Sequence, residues 1–251
     1  MIHYKTPEEI HIMKVGGKIL ADVLFQVMDA IQPGVSEIEI DALAERLIRE
    51  RGGEPGFQRV QGYKHTVCMS TNDVVVHGIP GRYHFKAGDV VGVDCGVFYQ
   101  GFHTDMSESV IVPGGAASKD AEKFLHTGKK ALDEAIKVAV IGNRIGHISK
   151  TIQEIVEGNG YSIVRSLIGH GVGRDLHEAP EVPGYLARSL EKTPPLKENM
   201  TIAVEVIYTM GGREVVLDPD GWTIRTKDGK LAGLYERTIA ITKNGPLMLT
   251  S

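Results

Sequence analysis

The sequence runs through one order of elements twice: helix, helix, strands, then helix, helix, strands again. Thr6-Pro7-Glu8-Glu9 reads as a capping box with proline at the first helical position. Ile10, Met13, Leu20, Leu24, Val27 and Ile31 follow at helical spacing, and Pro33-Gly34 stops the run. Ser36 and Glu39 open a second helix, with Ile40, Leu43, Leu47 and Ile48 on one face and Gly52-Gly53 at its end. Short β-rich runs come next, at Val74–Val76, Val90–Val93 and Val110–Val112. Ser118 can cap a third helix carrying Phe124, Leu125, Leu132 and Ile136, broken at Gly142-Asn143. Ile148, Ile152, Ile155 and Val156 mark a fourth, ended by Gly158-Asn159-Gly160. Strands are expected around 163–168, 201–208, 214–217 and 234–242.

An offset of 111 lays Lys86-Ala-Gly-Asp-Val-Val-Gly-Val-Asp94 against Lys197-Glu-Asn-Met-Thr-Ile-Ala-Val-Glu205. Each stretch is a lysine, a polar turn, an apolar strand and an acid at the same place. The helix caps Thr6 and Ser118 lie 112 apart, consistent with that offset. This predicts one domain over 1–251, built from duplicated halves of about 1–112 and 113–251. The halves would meet at a pseudo-twofold with Asp94 and Glu205 facing each other.

Composition narrows the function classes. With 42% hydrophobic and 24% charged residues, the chain can bury an ordinary globular core. A net charge of −4 and the lack of any basic run give no reason to expect nucleic-acid binding. Two cysteines, Cys68 and Cys95, make no disulfide framework and have no metal-ligand spacing. No stretch approaches the ~18 apolar residues of a membrane span, and the polar start, Met1-Ile2-His3-Tyr4-Lys5, has no signal core. A cytoplasmic setting is the expectation.

Acids in apolar strands point to chemistry. Asp94 ends Val90-Val-Gly-Val-Asp94, and Asp105 follows a hairpin tip at Phe98-Tyr-Gln-Gly101. If the hairpin turns about the Tyr99–Gln100 bond, the two acids are directly opposed, with Cβ atoms roughly 5 Å apart. The bland alternative is two exposed acids on a hairpin. Glu205 lies inside Thr201-Ile-Ala-Val-Glu-Val-Ile-Tyr208 and Glu236 inside Leu234-Tyr-Glu-Arg-Thr-Ile-Ala-Ile-Thr242, where an unpaired carboxylate would be costly to bury. An ion pair of Glu236 with Arg237 is disfavoured, because strand neighbours point to opposite faces. His170 sits between glycines, His177 follows seven residues later, and His77 lies in Val76-His-Gly-Ile-Pro80. The other seven histidines carry no signal beyond surface or core packing. Four carboxylates and an imidazole suit hard or borderline divalent cations, and ligation without cysteine argues against a structural zinc site.

These residues resemble the type I methionine aminopeptidases, metallopeptidases of the pita-bread fold. The match runs from the Thr6 helix to Glu236. It is strongest at Asn72–Pro80, at Asp94 with Gly101–Asp105, at Gly169–Pro180 and at Asp220–Asp228. The resemblance implies an α+β fold of pseudo-twofold halves, its antiparallel sheet covered by helices. It implies two divalent metal ions, cobalt, manganese, iron or zinc, held by Asp94, Asp105, His170, Glu205 and Glu236. Asp105 and Glu236 would be shared between the ions. Glu205 would handle the proton of the attacking water, His177 would donate to the developing oxyanion, and His77 would hold the next amide. Tyr63, Cys68, Leu176 and Trp222 would line the methionine pocket. The implied activity removes the N-terminal methionine of nascent polypeptides that carry a small second residue. A monomer in transient contact with the ribosome, with no membrane or specific nucleic acid as partner, completes the expectation. Only 28 positions separate His177 from Glu205, too few for the helical insert of type II.

The sequence departs from the family pattern at Val206 (commonly proline), Gly96 (commonly threonine), Arg237 (often histidine), Val60 (a tyrosine in some relatives) and Leu176 (often aromatic). These touch pocket shape and the surroundings of the ligands rather than the ligands themselves. The alternatives are an X-Pro dipeptidase or aminopeptidase of the same fold and a non-catalytic peptide-binding relative.

Overall fold

The computed structural model describes residues 1–115 and 118–251. Helices α1 (Pro7–Asp29), α2 (Glu37–Glu50), α3 (Lys119–Lys137) and α4 (Ile145–Gly158) form where the caps and periodicity place them. The Glu9 N–H donates to Thr6 Oγ1 at 3.3 Å, and the Thr6 N–H donates to Glu9 Oε2 at 2.9 Å, closing the first capping box. The Ser36 N–H donates to Glu39 Oε2 at 2.8 Å in the second. Ser118 occupies the N-cap of α3 without a side-chain cap bond.

The strands are β1 (Glu54–Pro55), β2 (Val67–Thr71), β3 (Val74–Val76), β4 (Val90–Tyr99), β5 (Phe102–Ile111), β6 (Ser162–Ile163), β7 (Gly169–Gly171), β8 (Glu178–Val182), β9 (Thr201–Thr209), β10 (Val215–Leu217), β11 (Ile224–Thr226), β12 (Ala232–Thr242) and β13 (Gly245–Met248). The strand expected over 163–168 is confined to its first residue. After Val164, whose N–H still reaches the Ile207 carbonyl, the backbone leaves the sheet and carries Leu167 and Ile168 into a cavity wall.

Ten strands form one sheet, through the path β1-β4-β5-β12-β9-β7-β8, and β10-β11-β3 form a second. Every pairing within these sheets is antiparallel. Side chains alternate between faces along a strand. Val91, Val93, Cys95 and Val97 of β4 pack beneath α1 and α2 with Leu20, Leu24, Ile40 and Ile48. Ile202, Val204, Val206 and Tyr208 of β9 pack beneath α3 and α4 with Phe124, Leu132, Ile148 and Ile152. The intervening residues, Asp94 and Glu205 among them, face away from the helices.

The β5–β12 pair is the seam of the sheet. Only Ser107↔Glu236 and Met106↔Arg237 pair across it. Beyond them, hydroxyls replace the ladder. Thr238 Oγ1 accepts from the Asp105 N–H at 2.9 Å and donates to the Asp105 carbonyl at 2.8 Å. Ser109 Oγ accepts from the Leu234 N–H at 3.2 Å and donates to the Leu234 carbonyl at 2.7 Å.

The register corrects two expectations. The hairpin turns at Gln100-Gly101, whose φ values of 45° and 92° are those of a type I′ turn. Asp94 therefore opposes Ser107, and Asp105 opposes Gly96. The two acids are diagonal neighbours on one face instead of a direct pair. Asp94 and Glu205 do not face each other either. They close the two ends of one row, Asp94–Ser107–Glu236–Glu205, that crosses four strands.

Candidate metal centre and pocket

Strand alternation delivers the acids to one place. Asp94, Asp105, Glu205 and Glu236 all line a single cavity of about 190 Å³. His170 enters from β7, paired opposite Ala203 and so diagonal to Glu205. Ligand atoms of Asp105, His170 and Glu236 lie within 4.8 Å of one another. His170 Nε2 is 3.9 Å from Asp105 Oδ2 and 4.0 Å from Glu205 Oε1. Its Nδ1 lies 2.9 Å from the Gly171 carbonyl, which can only accept, so Nδ1 carries the proton. Nε2 is left with its lone pair toward the carboxylates, the tautomer a metal ligand needs.

Burial disfavours every charge here. It pushes the Asp94 carboxyl up to about 7 and Glu205 up to about 8, and it raises Asp105 and Glu236 well above the ordinary range. Repulsion from neighbouring carboxylates adds to the rise at Asp105, Glu205 and Glu236. Burial, aided by the neighbouring His177, lowers His170 to about 4. Among the described residues, no lysine or arginine lines the cavity. Arg237 points to the other face of β12, where it pairs with the buried Glu108 and donates to the Ser107 carbonyl at 2.9 Å. Asp94 Oδ1 and Glu236 Oε1 are buried without a hydrogen-bond partner among the described residues. Orphaned carboxylate oxygens, a lone imidazole nitrogen and no counter-charge fit divalent cations, which supply the missing positive charge.

An apolar chamber adjoins this cluster. Phe57, Tyr63, Cys68 and Leu176 are buried together, with Val60, Ile79 and Trp222 packed against them. The Trp222 and Tyr63 rings meet edge-to-face at 5.1 Å. Asp220 orients Trp222, its Oδ1 accepting from the Trp222 N–H at 2.8 Å. His77 and His177 border the same cavity, and His177 stands edge-on to His170 with centroids 4.4 Å apart. Burial lowers both side chains, keeping neutral imidazoles that still donate through one N–H. His77 adopts a left-handed φ of 56°, an uncommon backbone state for a non-glycine residue, of the kind that clusters at functional sites.

The structure thus brings all eleven candidate site residues to one cavity. It also adds Phe57, Val76, Leu167, Ile168 and Ile207 to the lining. Phe57 lies in a 3-10 turn after Gly56, with no sequence pattern to mark it. It explains one departure: a Cβ at Gly96 would come within 2.8 Å of the Phe57 ring. Val206 is a core residue beneath the helices, remote from the cavity face. His103, expected to be unremarkable, is buried on the cavity side of β5 with Nδ1 unpartnered among the described residues.

A helix-covered antiparallel sheet with a carboxylate–imidazole cluster beside an apolar chamber is the construction of a metal-dependent peptidase. The profile of metallopeptidase family M24 matches residues 11–243, and the chain belongs to that family. Along its whole length the chain is similar to methionine aminopeptidases. It is 41% identical to the Clostridium perfringens protein, with 100% of this chain and 99% of that one covered. It is 40% identical to methionine aminopeptidase 1 of Bacillus subtilis, with the same coverage. The methionine aminopeptidase structure from Thermotoga maritima superposes with a TM-score of 0.96 at 38% identity, both chains covered in full. The α+β pita-bread architecture expected from the sequence is the one observed. The prolidase from Pyrococcus furiosus, with a TM-score of 0.77, 24% identity and 65% of its chain covered, shares the fold alone.

Proposed function

We propose that this chain removes the N-terminal methionine from nascent polypeptides, with a preference for a small second residue. The observation that carries this reading is the contact between the orphaned carboxylate cluster and a chamber closed by Tyr63, Cys68, Leu176 and Trp222. An exopeptidase needs this arrangement: a blind apolar site for one side chain, with hydrolytic machinery at its edge. Asp94, Asp105, His170, Glu205 and Glu236 would hold two divalent ions, cobalt, manganese, iron or zinc. Bound there, such ions polarise the scissile carbonyl and bring the pKa of a water toward neutrality.

The chain's own groups do the rest. Glu205 lies beside His170 and reaches the cavity. It takes the proton of the attacking water and passes one to the leaving nitrogen. His177 donates to the oxyanion as charge develops, and His77 holds the amide of the second residue. The Tyr63–Trp222 wall receives the unbranched methionine side chain. The whole chain acts as one catalytic domain of duplicated halves. Its partners are nascent N-termini and, transiently, the ribosome, met as a monomer in the cytoplasm. No helix of the described residues is long and apolar enough to cross a membrane.

The test is hydrolysis of Met-Ala-Ser and Ala-Pro after chelation, with each metal restored in turn. Cleavage of Met-Ala-Ser that vanishes on chelation and returns with metal is expected. Preferential cleavage of Ala-Pro would move the assignment to the X-Pro peptidases.

A further inference from the structure

His177 stands at the cavity edge, yet no hydrogen bond to the described residues holds its ring; its neighbour is His170. Its direction therefore follows from its backbone, in the turn from Gly173 to Glu178. That turn rests on the first residues of the chain. Ile2 bridges Ala179, Tyr4 bridges Met200, and the Lys5 N–H donates to the Asn199 carbonyl at 2.8 Å. Lys5 is 4% exposed, unusual for a lysine, and its ammonium donates to Glu178 Oε2 at 2.5 Å and to the His3 carbonyl at 3.3 Å. The other Glu178 oxygen accepts from the Asp175 N–H at 3.2 Å.

The turn packs directly on the lysine. A Cβ at Gly173 would overlap Lys5 Cε and Nζ and crowd Glu178 Oε1, so a larger residue there would have to displace the ion pair. The Gly173 N–H donates to the Asp175 carbonyl at 3.0 Å, and the Gly173 carbonyl accepts from the His103 N–H at 2.7 Å. A second tether comes from α1: Glu9 pairs with Arg174 at 2.7 Å. A buried ion pair adds little net stability over an apolar pair of the same size, whereas its directional bonds specify one geometry.

We propose that Lys5 is a positioning residue for His177. Its bond to Glu178 fixes the Gly173–Glu178 turn and so the angle at which the imidazole meets the scissile carbonyl. This rests on the reading of His177 as the oxyanion donor. The N-terminal strap is then part of the catalytic apparatus, although Lys5 touches no substrate.

The test uses the full chain carrying Lys5→Met, and Lys5→Met with Glu178→Gln, each with and without His177→Ala. The paired substitution removes both charges and keeps the test open if Lys5→Met alone fails to fold. With cobalt(II) restored and Met-Ala-Ser as substrate, kcat should fall roughly tenfold or more, as for a misaligned catalytic group, with KM moving much less. In the His177→Ala background the same substitutions should change kcat by less than about twofold, because the residue they act through is gone. The His177 ring signal in the NMR spectrum of the metal-free protein should shift while that of His77 stays in place. Equal fold losses in both backgrounds, or an unmoved His177 signal in a folded variant, would overturn the proposal. A wild-type chain inactive on Met-Ala-Ser would instead defeat the functional reading, and the ring signal would still decide the role of Lys5.

Discussion

Glu205 and His177 show how one residue's surroundings set its chemistry. Glu205 is a strand residue whose burial, without metal, favours the protonated form, and its proposed role in proton transfer is tested by removing it. Glu205→Ala should abolish turnover of Met-Ala-Ser while one metal remains partly bound, as read by activity and metal analysis together. Full activity in that variant would remove Glu205 from the chemistry. His177→Ala should chiefly lower kcat, by roughly 10²–10³, the usual cost of a lost oxyanion donor. The metal-free protein offers a check without turnover. Burial raises Asp94 to about 7 and Glu205 to about 8, so the folded state holds protons that the unfolded state has released. Histidines of the unfolded chain are half-protonated near pH 6.5 and lose the rest of that charge by about pH 8, so those buried neutral in the folded state offset part of the carboxyl slope at the lower end of this range. Stability should then fall as pH rises from about 6.5 to 8.5, because the folded state binds more protons there. Calorimetric melting in chelator should show this slope, and restored metal should flatten it. These residues were legible because acids inside apolar runs have no cheap structural explanation. Phe57 and Lys5 were not, since a phenylalanine after a glycine and a lysine before a helix look the same whether or not they serve a site.

At the scale of elements, the seam between β5 and β12 decides how the candidate ligands sit. Thr238 takes the place of a ladder bond on both sides of Asp105. Thr238→Val would leave a buried N–H and carbonyl unsatisfied, a loss of about 1–3 kcal/mol. Denaturant unfolding should show that loss, and metal should bind the variant more weakly; an unchanged midpoint would mean the strands close without the hydroxyl. The helices were predictable from caps and apolar spacing. The long strands were found, but their register was not, and the reason is local. Gln100-Gly101 can take left-handed φ at both central turn positions, whereas a tip at Tyr99-Gln100 would force a bulky aromatic into that region. A glycine at the second turn position was the available signal. The short strands β7 and β8 carry too few side chains for a pattern to show, and their place is set by pairing with β9 and with each other.

For the whole molecule, the decisive feature is that one row across four strands draws acids from distant parts of the chain. Asp94 and Ser107 come from the first half of the sequence, Glu236 and Glu205 from the second. The helix pairs sit behind the row and bury its apolar neighbours, and among the described residues Asp94 Oδ1 and Glu236 Oε1 have no hydrogen-bond partner. The order of the elements was visible in the sequence, but the meeting of β5 and β12 was not, because element order does not say which strands join. The account stands on this convergence being a cation site. Isothermal titration of cobalt(II) into the metal-stripped protein tests it directly. Saturable binding approaching two ions per chain, lost in Asp105→Asn, is the predicted result. Absence of saturable binding, or equal binding by that variant, would contradict it.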